Sequence, residues 1–341
     1  MGPIALRHRP QEHPFAALGP AFCWKPVSQM AFIPQGQHGK VPHQEGIPLA
    51  LQLDSKYVGR WTKPHHVEVG WRESMNFAAS VGDNNPFYFD DTREEGIIAP
   101  PMLATALTWP IYVNRHEYWG MDAWPEEVYQ RQVHFSEAII MHRPLRPGDR
   151  LTIKGQIFAV LPQRGGTLSI VRFETEDADG APVFTEYGGA FYRGVRCADE
   201  GRSDGEIYTP PVVPQANGPV WEDTIHIDPL TAHVYDGCTG LSFPIHTSKM
   251  FAQSVGLPEP ILQGTATLAI ALRELINREA DANPSRLKQL SCTFRGMVSP
   301  GVDIELRLLA RAPANPGTHL FYEALNGQGK KAIADGYVLL A

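Results

Sequence analysis

Two loops of the chain place residues at matching positions, and several of these residues can exchange protons. Asp83 and Leu241 occupy equivalent positions 158 residues apart (241 − 83), and Tyr88 and His246 have the same separation (246 − 88). Histidine acts as a general acid or base near neutral pH, and a positioned carboxylate can do the same. The spacing therefore predicts acid–base chemistry on one or both loops. The first loop has Asp83 but no histidine at the position of His246, and the second has His246 but no aspartate at the position of Asp83.

Each loop is followed by the start of a long apolar segment, and the two starts resemble each other. The first reads Ile98-Ala99-Pro100-Pro101-Met102-Leu103 and the second reads Pro260-Ile261-Leu262-Gln263-Gly264-Thr265. A loop, a spacing and a helix start that recur together indicate an internal duplication. The alternative is a pair of unrelated α+β domains, which would have to produce all three features by chance.

The helices and strands that must position the loops follow the same order in both halves. The first half predicts a strand at 60–71, helices at 72–81 and 102–118, with the second kinked or ended by Pro110, and strands at 133–140, 149–161, 167–175 and 182–192. The second half predicts helices at 228–237 and 265–279 and strands at 287–294, 302–310, 319–325 and 331–340. An antiparallel sheet curved around each long apolar helix would bury that helix. The predicted fold class is therefore α+β, a double hot-dog with two antiparallel sheets, each wrapped around a long central helix.

Composition shifts suggest where the parts of the chain meet. We expect an irregular N-terminal arm at 1–58, a first hot-dog unit at 59–198, a linker at 199–218 rich in Gly, Pro, Ser and Asp, and a second unit at 219–341. Prolines in the arm interrupt any amphipathic transit helix, so an arm packed on the surface is expected, with import into an organelle as the alternative.

Charge and cysteine content exclude several classes of function. The 341 residues carry a net charge of −7 without a basic run, which argues against nucleic acid or an anionic membrane as a partner. The four cysteines show neither CxxC nor Cys-His spacing, so a disulfide framework or structural zinc is not expected. The histidines show no metal spacing either, and no metal site is predicted.

The duplicated segments resemble a known family, the MaoC-like or type 2 (R-specific) enoyl-CoA hydratases and 3-hydroxyacyl thioester dehydratases. The family motif is Gly-Asp-x-Asn-Pro-x-His followed by an Ile-x-His-Gly helix start. Residues 74–103 are similar to this motif in the first half, and residues 238–268 are similar to it in the second. More weakly, the resemblance extends from about Gly59 to the C-terminus, and it implies the double hot-dog form in which the first unit accommodates the acyl tail.

By this resemblance, an aspartate and a histidine hold a water molecule, and the N–H of the helix-start glycine binds the thioester oxygen. In the first unit, Tyr88 stands at the histidine position and Pro101, which has no N–H, at the glycine position. The second unit keeps His246 and Gly264 but has Leu241 at the aspartate position. The second unit is therefore the better candidate, with His246 as the acid or base and Gly264 as the oxyanion donor.

The source of a carboxylate for the second unit stays open at this stage. Asp236 on the preceding helix could supply it, and so could Asp83 if the two loops converge. The candidate catalytic residues are His246, Asp83 and Tyr88, and the candidate oxyanion or substrate-binding residues are Gly264, Gln263, Asp236 and Asn85. Structural roles compete with these: Asp83 could cap a turn, Tyr88 could be a buried aromatic, and His246 could be a core histidine.

The predicted function is a lyase reaction, the addition or elimination of water on an acyl thioester of CoA or acyl carrier protein. The resemblance implies no cofactor. Two alternatives remain, a catalytically silent subunit that binds acyl thioesters and a thioesterase of the same fold. A homodimer in the cytoplasm is expected, and an organelle matrix is the alternative compartment.

Overall fold

The computed structural model describes residues 51–120, 124, 126–214 and 218–341. Most of the predicted arm at 1–58 lies outside these residues. Its last part does not: Gln52–Leu53 forms a short strand that pairs in parallel with Arg196–Cys197, and Leu53 is fully buried. The end of the predicted arm thus belongs to the fold of the first unit.

The described residues form helices and short 3-10 turns in the order that the duplication predicts. The helices are α1 (Trp71–Ser80), α2 (Pro86–Phe89), α3 (Leu103–Val113), α4 (Arg115–Trp119), α5 (Glu126–Tyr129), α6 (Thr231–Thr239), α7 (Lys249–Ser254) and α8 (Gly264–Glu279). The 3-10 turns are Ser55–Tyr57, Pro244–His246 and Pro284–Arg286.

The strands are numbered in chain order through both halves. They are β1 (Gln52–Leu53), β2 (His65–Glu68), β3 (Gln132–Met141), β4 (Arg150–Gln163), β5 (Gly166–Glu176), β6 (Pro182–Arg193), β7 (Arg196–Cys197), β8 (Arg202–Ser203), β9 (Trp221–His226), β10 (Leu287–Phe294), β11 (Asp303–Ala314), β12 (Gly317–Leu325) and β13 (Lys331–Leu340).

One antiparallel sheet runs through both halves of the described chain. Its strand order is β2-β4-β5-β6-β3-β10-β13-β12-β11-β9, with β8 added beside β4. The two halves meet where β3 pairs with β10, with Ser136 opposite Thr293 and Ala138 opposite Ser291. Two curved sheets are therefore joined edge to edge, and the predicted double hot-dog fold is confirmed.

The two long helices lie in the concavity of this sheet, and each buries an apolar surface there. Ala104 and Ile111 of α3 and Leu268 and Leu275 of α8 are among the fully buried side chains. The start of α3 lies against the later half of α8, because Met102 lines the same small cavity as Ile276. The N-termini of the two long helices are consequently well separated.

The shorter helices α1 and α6 pack against each other between the halves. Phe77 of α1 and Tyr235 of α6 make an edge-to-face ring contact with centroids 5.7 Å apart. Both rings are almost fully buried. This contact joins the segments that lead into the two loops.

Three sequence predictions were wrong in their bounds, and each difference has a local cause. Only His65–Glu68 of the predicted strand 60–71 is a strand, because Pro64 has no N–H for the ladder and α1 already begins at Trp71. The predicted helix 102–118 continues past Pro110 and is interrupted at Asn114, whose backbone leaves the helical region (φ −104°, ψ 37°) and whose side-chain amide donates to the Pro110 carbonyl. The predicted helix 228–237 starts only at Thr231, since Asp228 forms a turn by accepting from the Leu230 N–H.

Part of the predicted linker 199–218 is built into the first unit. Arg202 of β8 pairs with Val160 of β4. Further along, the Tyr208 hydroxyl lies 3.3 Å from the Ser291 hydroxyl of β10, so this segment also reaches the second unit. Among the described residues, no helix combines the length and apolar character needed to cross a membrane.

Candidate functional site

The loop of the first unit uses its polar atoms for its own structure. An Asp83 carboxylate oxygen accepts a 3.1 Å hydrogen bond from the Asn85 N–H, which closes a turn. The Asn85 side-chain oxygen in turn accepts from the Phe87 N–H and caps α2. The Asn85 amide nitrogen donates to the carbonyl oxygen of Ala282 at 2.7 Å. The structural alternative for Asp83 and Asn85 therefore has direct support in these contacts.

The space around this loop is too small for a thioester. The cavity that Asp83 and Tyr88 line measures about 20 Å³, which is room for one water molecule at most. Tyr88 is only 1% exposed and packs with Ala78 and Ile98, and this burial raises the pKa of its hydroxyl well above its usual value. Burial also raises the pKa of Asp83.

The first three amides of α3 already donate hydrogen bonds within the protein. The N–H groups of its first three residues, Leu103, Ala104 and Thr105, donate to the carbonyls of the three residues directly before the helix. Pro101, at the glycine position of the motif, has no N–H. The first unit thus lacks space for a thioester and lacks an N–H at the glycine position of the motif.

The start of α8 differs, because its first amides are not used by the protein. Gly264, Thr265 and Ala266 have no hydrogen-bond acceptor for their backbone N–H among the described residues, and the Thr267 N–H is the first to donate, to the Gln263 carbonyl. Free N–H groups at a helix N-terminus, together with the helix dipole, favour a negatively charged oxygen. This helix start can therefore serve as an oxyanion site.

Glycine at position 264 allows an aromatic ring to lie against this helix start. A Cβ atom at Gly264 would come within 3.2 Å of two ring carbons of Phe294 on β10. Contacts this short force the neighbouring ring to move. A bulkier residue at 264 would therefore disturb the surface on which a thioester would rest.

His246 is held beside the same helix start by a single hydrogen bond. Its Nδ1 lies 2.9 Å from the carbonyl oxygen of Ile261, which precedes α8 by three residues. A carbonyl only accepts, so Nδ1 carries the hydrogen and Nε2 keeps a lone pair that can accept a proton. Burial lowers the pKa of His246, and the Ile261 bond and the nearby Asp236 carboxylate offset part of that effect. His246 can thus act as a base near neutral pH.

Two further candidates carry buried oxygens that the described protein does not satisfy. Neither Oδ2 of Asp236 nor Oε1 of Gln263 receives a hydrogen bond from the described residues. The Gln263 nitrogen donates to the Ala232 carbonyl at 3.0 Å, which fixes the direction of the side chain. Buried polar atoms normally have partners, so these two oxygens are suited to bind a water molecule or a substrate hydroxyl.

The residues at the aspartate and asparagine positions of the motif, Leu241 and Phe243, are both apolar. Leu241 is buried in the main core cluster. Phe243 is 36% exposed and makes an edge contact with His246, with ring centroids 6.5 Å apart. The second unit therefore has no carboxylate on its loop, and Asp236 is the carboxylate whose charge reaches His246.

The two loops do not converge on one water molecule. Asp83 lies beside Arg273 and Asn277, which stabilise its charged form. These residues follow Gly264 by nine and thirteen positions in α8, or roughly 14 and 20 Å along a helix that rises 1.5 Å per residue. Asp83 and Tyr88 are accordingly near the far end of α8 from His246.

A pair of residues that sequence patterns did not single out lies near the second site. Nε2 of His134 on β3 is 3.1 Å from a carboxylate oxygen of Glu137, and the His134 ring contacts Phe294 with centroids 4.6 Å apart. Their position depends on the pairing of β3 with β10, which no local motif records. The described residues include no group of three or more side chains that could bind a metal, and Cys197, Cys238 and Cys292 have free thiols.

Comparisons with known proteins match both halves to related domains. Residues 56–186 match the family model "FAS1-like, dehydratase domain region", and residues 214–315 match the "MaoC like domain". A UPF0336 protein of Streptomyces avermitilis is 34% identical over 143 residues, which are 40% of this chain and 91% of that protein. A probable enoyl-CoA hydratase 2 of Dictyostelium discoideum is 27% identical over 177 residues, 52% of this chain and 58% of that protein.

Solved structures show the same fold. The crystal structure of a MaoC-like dehydratase from Phytophthora capsici superimposes with a TM-score of 0.72 at 22% identity, covering 84% of this chain and 98% of that one. A likeness at this identity supports the fold, and the two domain matches support the relationship in each half. With a dehydratase-type domain matched in each unit, the chain belongs to the MaoC-like hydratase and dehydratase family in its double hot-dog form.

Proposed function

We propose that this protein is a hydratase or dehydratase of acyl thioesters, and that its reaction takes place at the N-terminus of α8. The observation that carries the proposal is the set of N–H groups at Gly264, Thr265 and Ala266 that have no acceptor among the described residues, with the lone pair of His246 held beside them. A thioester oxygen that gains negative charge needs such donors, and the reaction also needs a group that can transfer a proton.

In the hydration direction, the amides of α8 would bind the thioester oxygen of a 2-enoyl substrate. Nε2 of His246 takes a proton from a water molecule as the water oxygen bonds to C3 of the substrate. The π electrons move through C2 to the thioester oxygen, and the resulting enolate is stabilised by the amides. The imidazolium then returns the proton to C2, so that one water molecule has been added, and dehydration is the reverse.

The first unit would shape the pocket for the acyl chain, since its own site is filled. The carrier is CoA or acyl carrier protein. The matched enoyl-CoA hydratase 2 of Dictyostelium favours CoA as the first carrier to test. R stereochemistry follows from the family resemblance and would be read from the product.

A panel of trans-2-enoyl-CoA thioesters of increasing chain length tests the proposal. Hydration should be observed, and His246→Ala should reduce kcat/KM by about 10³-fold. His226→Ala is the matched control, because His226 is an exposed histidine of the same unit whose ring pairs with Asp303. Activity that survives His246→Ala would contradict the assignment, and release of free thiol in place of hydration would indicate a thioesterase.

One observation favours a second candidate, a subunit that binds acyl thioesters without turning them over. Leu241 removes the loop carboxylate on which the family relies. Binding alone predicts a higher melting temperature in the presence of acyl-CoA together with no change in any thioester over hours. Detectable hydration would exclude this candidate.

We also propose that the protein forms a homodimer and works in the cytoplasm or an organelle matrix. Exposed apolar side chains on or next to α1, α6 and α7 support the dimer; they are Trp71, Leu230, Val234, Met250 and Val255. Free thiols are consistent with a reducing compartment. Light scattering after size exclusion tests the first point, since a single chain would elute at 37.8 kDa.

A further inference from the structure

We propose that His134 of β3, positioned by Glu137, is the second group that holds the attacking water molecule at the α8 site, in place of the aspartate that is absent at position 241. The inference rests on the proposed function and adds a residue from the first unit to a site in the second. Four features of the structure support it: a bulge, a ring contact, a tautomer and a buried carboxylate.

A β-bulge turns His134 and Glu137 toward the same face of the sheet. Residues three apart on a regular strand point to opposite faces. In β3, His134 pairs with Ala190 and Ser136 with Gly189, so Phe135 between them is an extra residue without a partner. Bulges re-aim side chains and are common beside active sites. The glycine opposite is required, because a Cβ at Gly189 would lie 2.1 Å from the Ser136 hydroxyl.

The face that these residues share is the one that meets the helices. Glu137 contributes to the raised pKa of Tyr112 on α3 and of Tyr235 on α6, so its carboxyl group lies near both hydroxyls. The His134 ring contacts Phe294 at a tilt of 52°, and Phe294 lies against Gly264 at the start of α8. The electrostatic effect of His134 also reaches His246. A thioester bound at the amides of α8 would therefore have an imidazole from each unit nearby.

Hydrogen bonding fixes which nitrogen of His134 is free. Nε2 lies 3.1 Å from the Glu137 carboxylate and 3.2 Å from the Ser136 carbonyl oxygen. Since the carbonyl only accepts, Nε2 carries the hydrogen, and Nδ1 is left with a lone pair and no partner among the described residues. His246 likewise keeps its Nε2 lone pair. One water molecule has two O–H groups, and it can donate a hydrogen bond to each of these nitrogens. As the water oxygen attacks C3, the proton that faces His246 transfers to its Nε2, and the O–H that faces His134 remains as the hydroxyl of the product.

Desolvation keeps His134 neutral near neutral pH, the form whose Nδ1 can accept a hydrogen bond from water. Although 36% of its side chain is exposed, the surrounding protein lowers the pKa of His134 to about 4. The titratable groups that interact electrostatically with the pair are His246 from the second loop region, Glu186 from β6, Tyr112 and Tyr235 from the helices, and Cys292 from β10.

Glu137 has the properties of a positioning residue. It is 2% exposed, and burial raises its pKa well above the usual value. Its Oε1 receives no hydrogen bond from the described residues, whereas Oε2 binds His134. A buried carboxyl group is costly, and it is retained here although Leu or Met would fill the same volume. Its contact with His134 gives the reason.

Site-directed variants of the full chain separate this role from a structural one. His134→Ala should lower kcat about 10²-fold with little change in KM, and added imidazole should restore part of the loss, because the ring position is open to solvent. Glu137→Leu should lower kcat about tenfold, and Glu137→Gln, whose oxygen can still accept from Nε2, should restore most of it. His142→Ala is the matched control, since His142 stands just beyond the other end of β3 and binds Thr185.

The outcomes distinguish this inference from the proposed function. Hydration that His246→Ala abolishes and His134→Ala leaves intact would overturn only the role of His134. A loss in His134→Ala that imidazole cannot restore, accompanied by a lower melting temperature, would overturn it as well, since that pattern marks a structural residue. A wild-type protein that hydrates no enoyl thioester would contradict both proposals. Partial rescue at an unchanged melting temperature supports His134 as the group that holds the attacking water molecule.

Discussion

Asn85 of the first loop donates a 2.7 Å hydrogen bond to the carbonyl oxygen of Ala282, just beyond the end of the long helix of the second unit. Ala282 has a positive φ of 54°, a conformation that costs an alanine free energy. The asparagine of the motif thus fastens one unit to a strained turn of the other. In the first unit, a residue type associated with chemistry now stabilises the junction between the units.

Replacing Asn85 tests this fastening. Asn85→Ala removes the bonds to Ala282 and Asn277 and the cap of α2, and it should lower the free energy of unfolding by about 2 kcal/mol. Urea denaturation measures the change. Asn114→Ala, which removes an exposed bond to Pro110, should cost clearly less. Equal losses in the two variants would show that the contact with Ala282 adds nothing.

Gly264 should tolerate no side chain without a loss of turnover. Gly264→Ala places a methyl group within 3.2 Å of the Phe294 ring, which must shift on the surface that faces the thioester. We expect kcat/KM to fall by roughly 10²-fold, the usual effect of a disturbed oxyanion donor. Gly237→Ala is the control, because a Cβ there meets nothing within 4 Å. A fully active Gly264→Ala variant would argue against the amides of α8.

The pH dependence of kcat/KM should show the ionisation of His246 and the effect of Asp236 on its pKa. A base works in its neutral form, so kcat/KM should be constant at high pH and fall as the pH drops through the pKa of His246, which burial sets below the usual 6.5. The Asp236 carboxylate raises that pKa, whereas the His134 ring lowers it. Asp236→Asn should therefore move the acid limb to lower pH. A limb that stays in place would mean that Asp236 does not act on the ionisation that limits turnover.

The first site should be dispensable for chemistry. Asp83→Asn keeps an oxygen that can accept from the Asn85 N–H, and Tyr88→Phe keeps the ring in its buried position. Both variants should hydrate enoyl-CoA thioesters at the wild-type rate, as a steady-state assay would show. A large loss of kcat in either variant, at an unchanged melting temperature, would reopen the first unit as a catalytic centre.

The duplication was visible in the sequence because loop spacing and hydrophobic periodicity are local. The strand predicted at 133–140 is one residue shorter than β3 at each end, and the strand predicted at 287–294 coincides with β10. The helix predicted at 102–118, with a kink or an end at Pro110, is interrupted at Asn114 instead, where the side-chain amide donates to the Pro110 carbonyl. Hydrophobic pattern cannot record such a polar competition.

The composition of the site was harder to predict because it depends on contacts between distant segments. His246 and Gly264 belong to one continuous sequence motif. They are only 18 residues apart (264 − 246), so their proximity could be predicted from the sequence. The pairing of β3 with β10 and the bulge in β3 bring His134 and Glu137 near the start of α8. No local sequence pattern predicts either feature. The use of the α3 amides by carbonyls of the same turn is likewise a matter of geometry.

The pairing of β3 with β10 has a consequence for how such a protein can evolve. In an assembly of two identical chains, a substitution appears in both active sites at once, so neither site can be given up while the other is kept. Here the two halves are encoded separately and yet share one sheet. Mutation could therefore give the loop of the first unit a purely structural role while selection preserved the site of the second unit. A strand of the first unit could then acquire side chains that act at the site of the second.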